Sequence, residues 1–197
     1  MKRYLTAALI VLAGLMTAGC GAGVYSSQPL FTQAKEQLKP GLWALMAPDC
    51  TTVPTSASIP DWPNCAMPVW IQKQRLTFVM PPVNHFNLVV SDGDPRILQF
   101  EMRESTSYDK TKNLNYAYWQ FRPEGVAPYV RGIVRPIRCP DAAKPIAGIS
   151  AQTSNAVADI GTCLAATGGA VRQAALIPSG DKDKDKDGHA VWIADLN

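Results

Sequence analysis

From about residue 75 onward the chain alternates apolar and polar positions with a period of two. Leu76, Phe78 and Met80 are interleaved with Arg75, Thr77 and Val79, and Phe86, Leu88 and Val90 with Asn87, Val89 and Ser91. Leu98, Phe100 and Met102 likewise alternate with Gln99, Glu101 and Arg103, and Ala117, Trp119 and Phe121 with Tyr116, Tyr118 and Gln120. Successive strand side chains point to opposite faces, so each stretch predicts a strand with one buried and one solvated face. Ser91-Asp92-Gly93-Asp94-Pro95 has the composition of a tight turn, since Gly accepts positive φ and Asp bonds nearby backbone. The strands on either side of it therefore pair as a hairpin. A second hairpin is expected around Arg122-Pro123-Glu124-Gly125, returning through Tyr129–Arg138, and a last strand from His189 to Asp195.

After Cys139 the periodicity changes. Thr153 or Ser154 can cap a helix, and Val157, Ile160, Leu164 and Thr167 follow at helical spacing until Gly168-Gly169 stops the run. A second short helix is expected from Ala170 to Leu176, and another near Gln33–Leu38. The predicted fold class is α+β: a curved antiparallel β-sheet with one or two C-terminal helices laid on it, stapled by two disulfides. The chain's 16 prolines and 14 glycines favour turns over long helices.

The first twenty residues have a different logic. Lys2 and Arg3 precede an apolar run from Leu5 to Met16, followed by the small residues Thr17-Ala18-Gly19 and then Cys20. A basic start, a short apolar core and a small-residue exit make a secretory signal, and the run is shorter than the roughly 17–25 residues of a membrane span. A cysteine directly after the small residues resembles the lipobox of bacterial lipoproteins. That resemblance implies cleavage before Cys20, a diacylglycerol on its thiol and acylation of the new amino terminus. With Gly21 rather than Asp in second place, it further implies an outer-membrane lipoprotein facing the periplasm. The expected organisation is a signal peptide over 1–19, a lipidated tether over 20–38 and one periplasmic domain over 39–197.

Once the signal is set aside, Cys50, Cys65, Cys139 and Cys163 remain, an even number in an exported chain. That pattern reads as disulfides, and nearness favours Cys50–Cys65 and Cys139–Cys163 among the three pairings. The first closes a loop of about 15 residues, worth ~3 kcal/mol on the chain-entropy model. Its interior, rich in Pro and Ser, has little apolar reason to stay ordered.

Charge narrows the partners. The net charge is +3 and falls to +1 without Lys2 and Arg3, which argues against a nucleic-acid binder. No cofactor is expected. For metals the one candidate is Asp183, Asp185 and Asp187, which occupy positions 1, 3 and 5 of a calcium loop with Gly188 at 6. Ala194 stands where the bidentate Glu belongs, so the stretch reads as a solvated mixed-charge loop rather than a metal site. Catalysis is not expected either, because His85 and His189 are the only histidines, G-x-S-x-G is absent and the cysteines are paired. Asp92 and Asp94 are accounted for by a turn, and Glu101 and Glu104 by solvated strand positions.

Two features point to binding. Tyr116, Tyr118 and Arg122 lie in one row opposite the apolar face of their strand, and these residue types are enriched at interaction surfaces. Gly41-Leu42-Trp43 resembles the G-x-W that opens lipocalin barrels, some of them bacterial outer-membrane lipoproteins. The resemblance implies an eight-stranded barrel whose base the Trp closes, often beneath an Arg, around a ligand cavity. The functional expectation is a non-catalytic, lipid-anchored envelope protein that engages a protein or cell-wall partner, with a lipocalin-like carrier of a small apolar ligand or lipid as the alternative. Replacing Cys20 with Ala is expected to move the exported chain from the membrane to the soluble fraction. A mutant that still sediments with membranes would refute the lipid anchor.

Overall fold

The computed structural model describes residues 23–32, 37–79, 85–102, 115–151, 162–178 and 187–195. Its strands are β1 (Gly23–Ser26), β2 (Gly41–Met46), β3 (Ala66–Gln72), β4 (Arg75–Phe78), β5 (His85–Val90), β6 (Arg96–Glu101), β7 (Tyr116–Pro123), β8 (Arg131–Pro136), β9 (Ile149–Ala151), β10 (Thr162–Ala165) and β11 (Gly188–Ala194). The single described α-helix is α1 (Gly168–Ala175).

The α+β class expected from the sequence, a curved antiparallel sheet with one or two C-terminal helices, is corrected to a mostly β fold whose centre is a closed antiparallel barrel, with one α-helix among the described residues. β2 through β8 form a meander, β6 pairs with β7 over Arg96↔Phe121 to Glu101↔Tyr116, and β11 lies between β8 and β2. Eight strands thus meet in a ring without a free edge. Alternation reveals which residues share a face but not whether the last strand returns to the first, so closure was invisible in the pattern. β3 was not predicted. Nor was its turn into β4, where Lys73 and Gln74 both take positive φ (46° and 63°) in place of the Asn-Gly usual for such hairpins.

Outside the barrel, β1, β10 and β9 extend the sheet from the start of β7. The helix expected around Val157–Thr167 is corrected in the part that is described: Thr162–Ala165 is strand, parallel to β1 in register Gly23↔Thr162, Val24↔Cys163. Residues 152–161 lie outside the described residues. The short helix after Gly168 is present, capped by Thr167 Oγ1, which accepts from the Ala170 N–H at 3.2 Å. Val24 is 1% exposed and Leu38 is buried, so parts of 20–38 are built into the domain.

Packing divides into an interior and two outer layers. Inside the barrel lie Trp43, Val69, Ile71, Leu76, Leu88, Val90, Leu98, Phe121 and Val134, which include the apolar halves of the sequence alternation. On the outer wall of β6 and β7, Ile97, Tyr116 and Tyr118 are covered by Val24, Cys163 and α1 residues Val171, Ala174 and Ala175. On the opposite flank the loop closed by Cys50–Cys65 covers Ala44, Met46 and Ala66. Both pairings favoured by proximity are present, with Cα–Cα distances of 5.3 Å for Cys50–Cys65 and 5.7 Å for Cys139–Cys163.

The G-x-W start is explained by how β2 meets β11. Gly41 has φ +142°, and a Cβ there would run into the Ala194 carbonyl and the Trp192 indole. Gly41→Ala is therefore expected to cost at least ~1–3 kcal/mol from backbone strain alone. Urea denaturation measures it, and an unchanged midpoint would show that β2 and β11 are not this closely joined.

Candidate functional site

The barrel interior is the strongest candidate, because its walls are apolar throughout. A cavity of about 30 Å³ lies among Leu38, Trp43, Leu76, Phe100, Trp119 and Phe121, with further aliphatic side chains completing the lining. One water needs roughly 10–15 Å³, whereas a cavity that takes benzene is about 150 Å³. The interior is therefore nearly filled by its own side chains.

The two ends differ. At the end where β2 begins, residues 37–40 cross beneath the barrel as a strap. Tyr129 N–H donates to Gln37 O (2.6 Å), and Lys39 N–H donates to Tyr129 O (2.9 Å). The Gln37 amide donates to Asp92 Oδ1 (2.8 Å) and accepts from Arg96 Nε (2.9 Å). These bonds hold the Leu38 side chain against the interior. Trp43 is fully buried, its indole N–H donating to Lys39 O at 2.8 Å, and Trp192 donates to Pro40 O at 3.1 Å. The cations of this base cover other rings: Arg96 lies over Tyr129 (5.2 Å) and Lys39 over Trp192 (3.4 Å). The other end is ringed by the partly buried Leu45, Phe78, Phe86, Phe100 and Trp119, with edge-to-face pairs at 5.4 Å (Phe78–Phe86) and 5.8 Å (Phe100–Trp119).

The tyrosine row lies elsewhere. Tyr116 and Tyr118 are 6% and 1% exposed, sealed beneath the outer layer rather than facing solvent. Tyr118 Oη shares a 2.5 Å hydrogen bond with Ser26 Oγ, and Tyr116 Oη donates to Glu101 Oε1 at 3.4 Å. Gln99, on the same wall, accepts from the Leu30 and Phe31 N–H groups (2.9 and 3.0 Å) and donates to Phe31 O (2.9 Å). Gln99 and Tyr118 look solvent-facing in the sequence because their partners lie some seventy to ninety residues away. Arg122 is exposed and joins Asp187 at 2.6 Å. Burial depresses the Arg135 guanidinium, and Asp187 works in the opposite direction.

Of the calcium candidates, Asp183 and Asp185 lie outside the described residues. Asp187 is engaged by Arg122, beside Arg135, a positive setting for a cation ligand. Cys20, the expected lipid attachment point, also lies outside the described residues. Among the described residues no group of three or more His, Cys, Asp or Glu is placed to hold a metal ion. His85 Nδ1 meets Thr77 Oγ1 at 2.9 Å on one strand pair, and His189 sits on β11. Asp92 and Glu101 are tied to Gln37 and to Asn87 (2.9 Å). Among the described residues, no helix is long and apolar enough to cross a membrane.

No protein-family model, curated protein or solved structure matches this chain.

The base strap and the partly buried aromatic ring were not identified in the sequence. Leu38 sits alone before Lys39-Pro40 without any periodic pattern, and the ring collects one or two residues from each of several strands.

Burial pushes the Tyr118 phenol up to about 12, against the pull of its Ser26 hydrogen bond. Between about pH 10, the ordinary tyrosine value, and pH 12 the unfolded chain loses a proton that the folded chain keeps. Stability is therefore expected to fall as pH rises through that window. Tyrosinate absorbance should show one phenol that titrates only near pH 12, and Tyr118→Phe should remove it. If all tyrosines titrate near 10, the outer layer is not sealed.

Proposed function

We propose that this chain is a non-catalytic, lipid-anchored module of the cell envelope whose barrel takes up one small apolar ligand. The observation that carries the reading is the cavity lined only by apolar side chains inside an eight-stranded ring. Barrels of this strand number are wide enough either to fill with side chains or to hold one small molecule. The partly buried ring of Leu45, Phe78, Phe86, Phe100 and Trp119 supports the second option, since side chains that are not fully packed can turn to enlarge the space. The partner-binding reading based on a tyrosine face loses its support, because that face is buried.

Anchoring through Cys20 belongs to the same proposal and is motivated by the lipobox-like signal. Two or three acyl chains hold a domain at a membrane without a polypeptide span.

Native mass spectrometry of the exported chain carrying Cys20→Ala provides the test. The expected result is a retained apolar adduct, or a one-to-one complex after addition of laurate or a naphthalene. A bare mass under both conditions would overturn the carrier reading in favour of an interaction module.

A further inference from the structure

Gly23 opens β1 three positions after Cys20. A chain that short spans at most about 10–11 Å, so acyl groups on Cys20 bring the start of β1 to within about that distance of a membrane surface. The surroundings of Gly23 are therefore the part of the domain nearest the lipid. Val24 N–H donates to Ile137 O (3.0 Å), and Val24, Ile137, Ala174 and Ala175 pack in one cluster. The ends of β8 and α1 thus lie on the same flank as the start of β1. Leu176 and Ile177 follow α1 and are 65% and 39% exposed. Beside them, Arg135 of β8 donates to Ala175 O at 2.9 Å. Arg122 and Arg138 are exposed, and both act electrostatically on Arg135, as does Asp187. Among the described residues this flank therefore sets three guanidinium groups against one carboxylate. A second exposed aliphatic pair, Val126 and Val130 (86% and 40%), flanks the start of β8, roughly 20 Å along the strand from Ile137. There the charges of Glu124 and Arg131 are paired at 3.7 Å.

We propose that this flank is a membrane-docking surface: the domain lies on an anionic phospholipid leaflet with Leu176 and Ile177 in the interfacial layer and the surplus positive charge of Arg122, Arg135 and Arg138 against the lipid phosphates. This rests on the lipid-anchor reading and names the partner surface of the folded domain. Two independent observations select it. The short reach from Cys20 to Gly23 limits which side of the domain meets the bilayer. On that side an exposed aliphatic pair stands beside a net positive cluster, the combination that binds an anionic interface through buried apolar area and charge together. Acyl chains by themselves fix a point of attachment and leave the domain free to turn about it. The patch at the ends of β8 and α1 sets the orientation, and it leaves the base strap and the Val126–Val130 end directed away from the attachment point.

The test uses the full chain purified from bacterial membranes, its acylation read by mass spectrometry, in phosphatidylcholine vesicles with or without phosphatidylglycerol. With Cys20 acylated and the other cysteines paired, Leu176→Cys or Val126→Cys supplies one thiol for an environment-sensitive dye. Both positions are exposed, and circular dichroism checks the fold of each variant. The dye at 176 is expected to be quenched by doxyl groups on the lipid acyl chains in vesicles containing phosphatidylglycerol, and the dye at 126 is not. Arg138→Ser should lower the docked-to-undocked ratio at 176 about fivefold, the equivalent of the ~1 kcal/mol that one basic residue contributes at an anionic surface. Added salt should act in the same direction. An acylated chain whose dye at 176 stays unquenched, or is quenched no more than the dye at 126, would overturn this proposal and leave the anchor standing. Quenching at 176 that is indifferent to phosphatidylglycerol and to Arg138→Ser would overturn it as well. A chain that carries no acyl mass overturns both the anchor and the docking surface.

Discussion

The insertion of β11 between β8 and β2 is the constraint on which the rest of the structure depends. Without it, β2 to β8 would form an antiparallel meander with two exposed edges, each a row of unpaired backbone groups. With it, His189↔Met46 and Trp192↔Trp43 on one side and Gly188↔Val134 and Val191↔Arg131 on the other convert the meander into a ring. The ring encloses an interior, and the interior gives Trp43, Leu98 and Phe121 a place to be buried. Gly41 is the point where this closure is tightest, since the approach of Ala194 and Trp192 leaves no room for a side chain.

Closure also decides what the outer wall does. A ring with one apolar surface inside can leave its outer surface wet, yet here parts of β6 and β7 are covered on both sides. The second layer is held by polar contacts as much as by apolar ones: Gln99 clamps the backbone of Leu30 and Phe31, Tyr118 meets Ser26, and Arg172 of α1 donates to the carbonyls of Asp92 and Pro95 (2.7 Å for the latter). The buried groups among them, Gln99, Tyr118 and Ser26, would be costly if left without a partner. The outer layer, the turn between β5 and β6 and the barrel wall are therefore mutually dependent. Arg172 and the Gln37–Arg96 contact both reach that turn region, linking helix, turn and base strap in one network of hydrogen bonds.

Much of the barrel wall was legible in the sequence. The alternation at Leu76/Phe78, Phe86/Leu88/Val90, Leu98/Phe100 and Trp119/Phe121 correctly separated interior from exterior, because a closed sheet keeps the period of two of a flat one. Both hairpin turns, the final strand, the short helix and the two disulfide pairings followed from local chemistry. β3 escaped because its run Ala66-Met67-Pro68-Val69-Trp70-Ile71 is apolar on both faces, one side in the barrel and the other partly covered by the disulfide loop. The stretch at Thr162–Ala165 was misread because its apolar residues also fit helical spacing. Its pairing with β1, about 140 residues earlier, settled the conformation.

What the sequence by itself determined was local: which residues share a face, where the chain turns, which cysteines are near enough to pair, and which chemistries lack the residues they need. What only the tertiary structure decided was where each polar face ends up and whether the strands form a sheet or a ring. The physical reason is range. Periodicity and turn chemistry act over a few residues, whereas the burial of Tyr118, the position of Leu38 beneath the barrel and the return of β11 to β2 depend on contacts between distant segments. An alternating strand is equally satisfied by water or by a second layer on its polar side, and only the arrangement of the whole chain chooses between them.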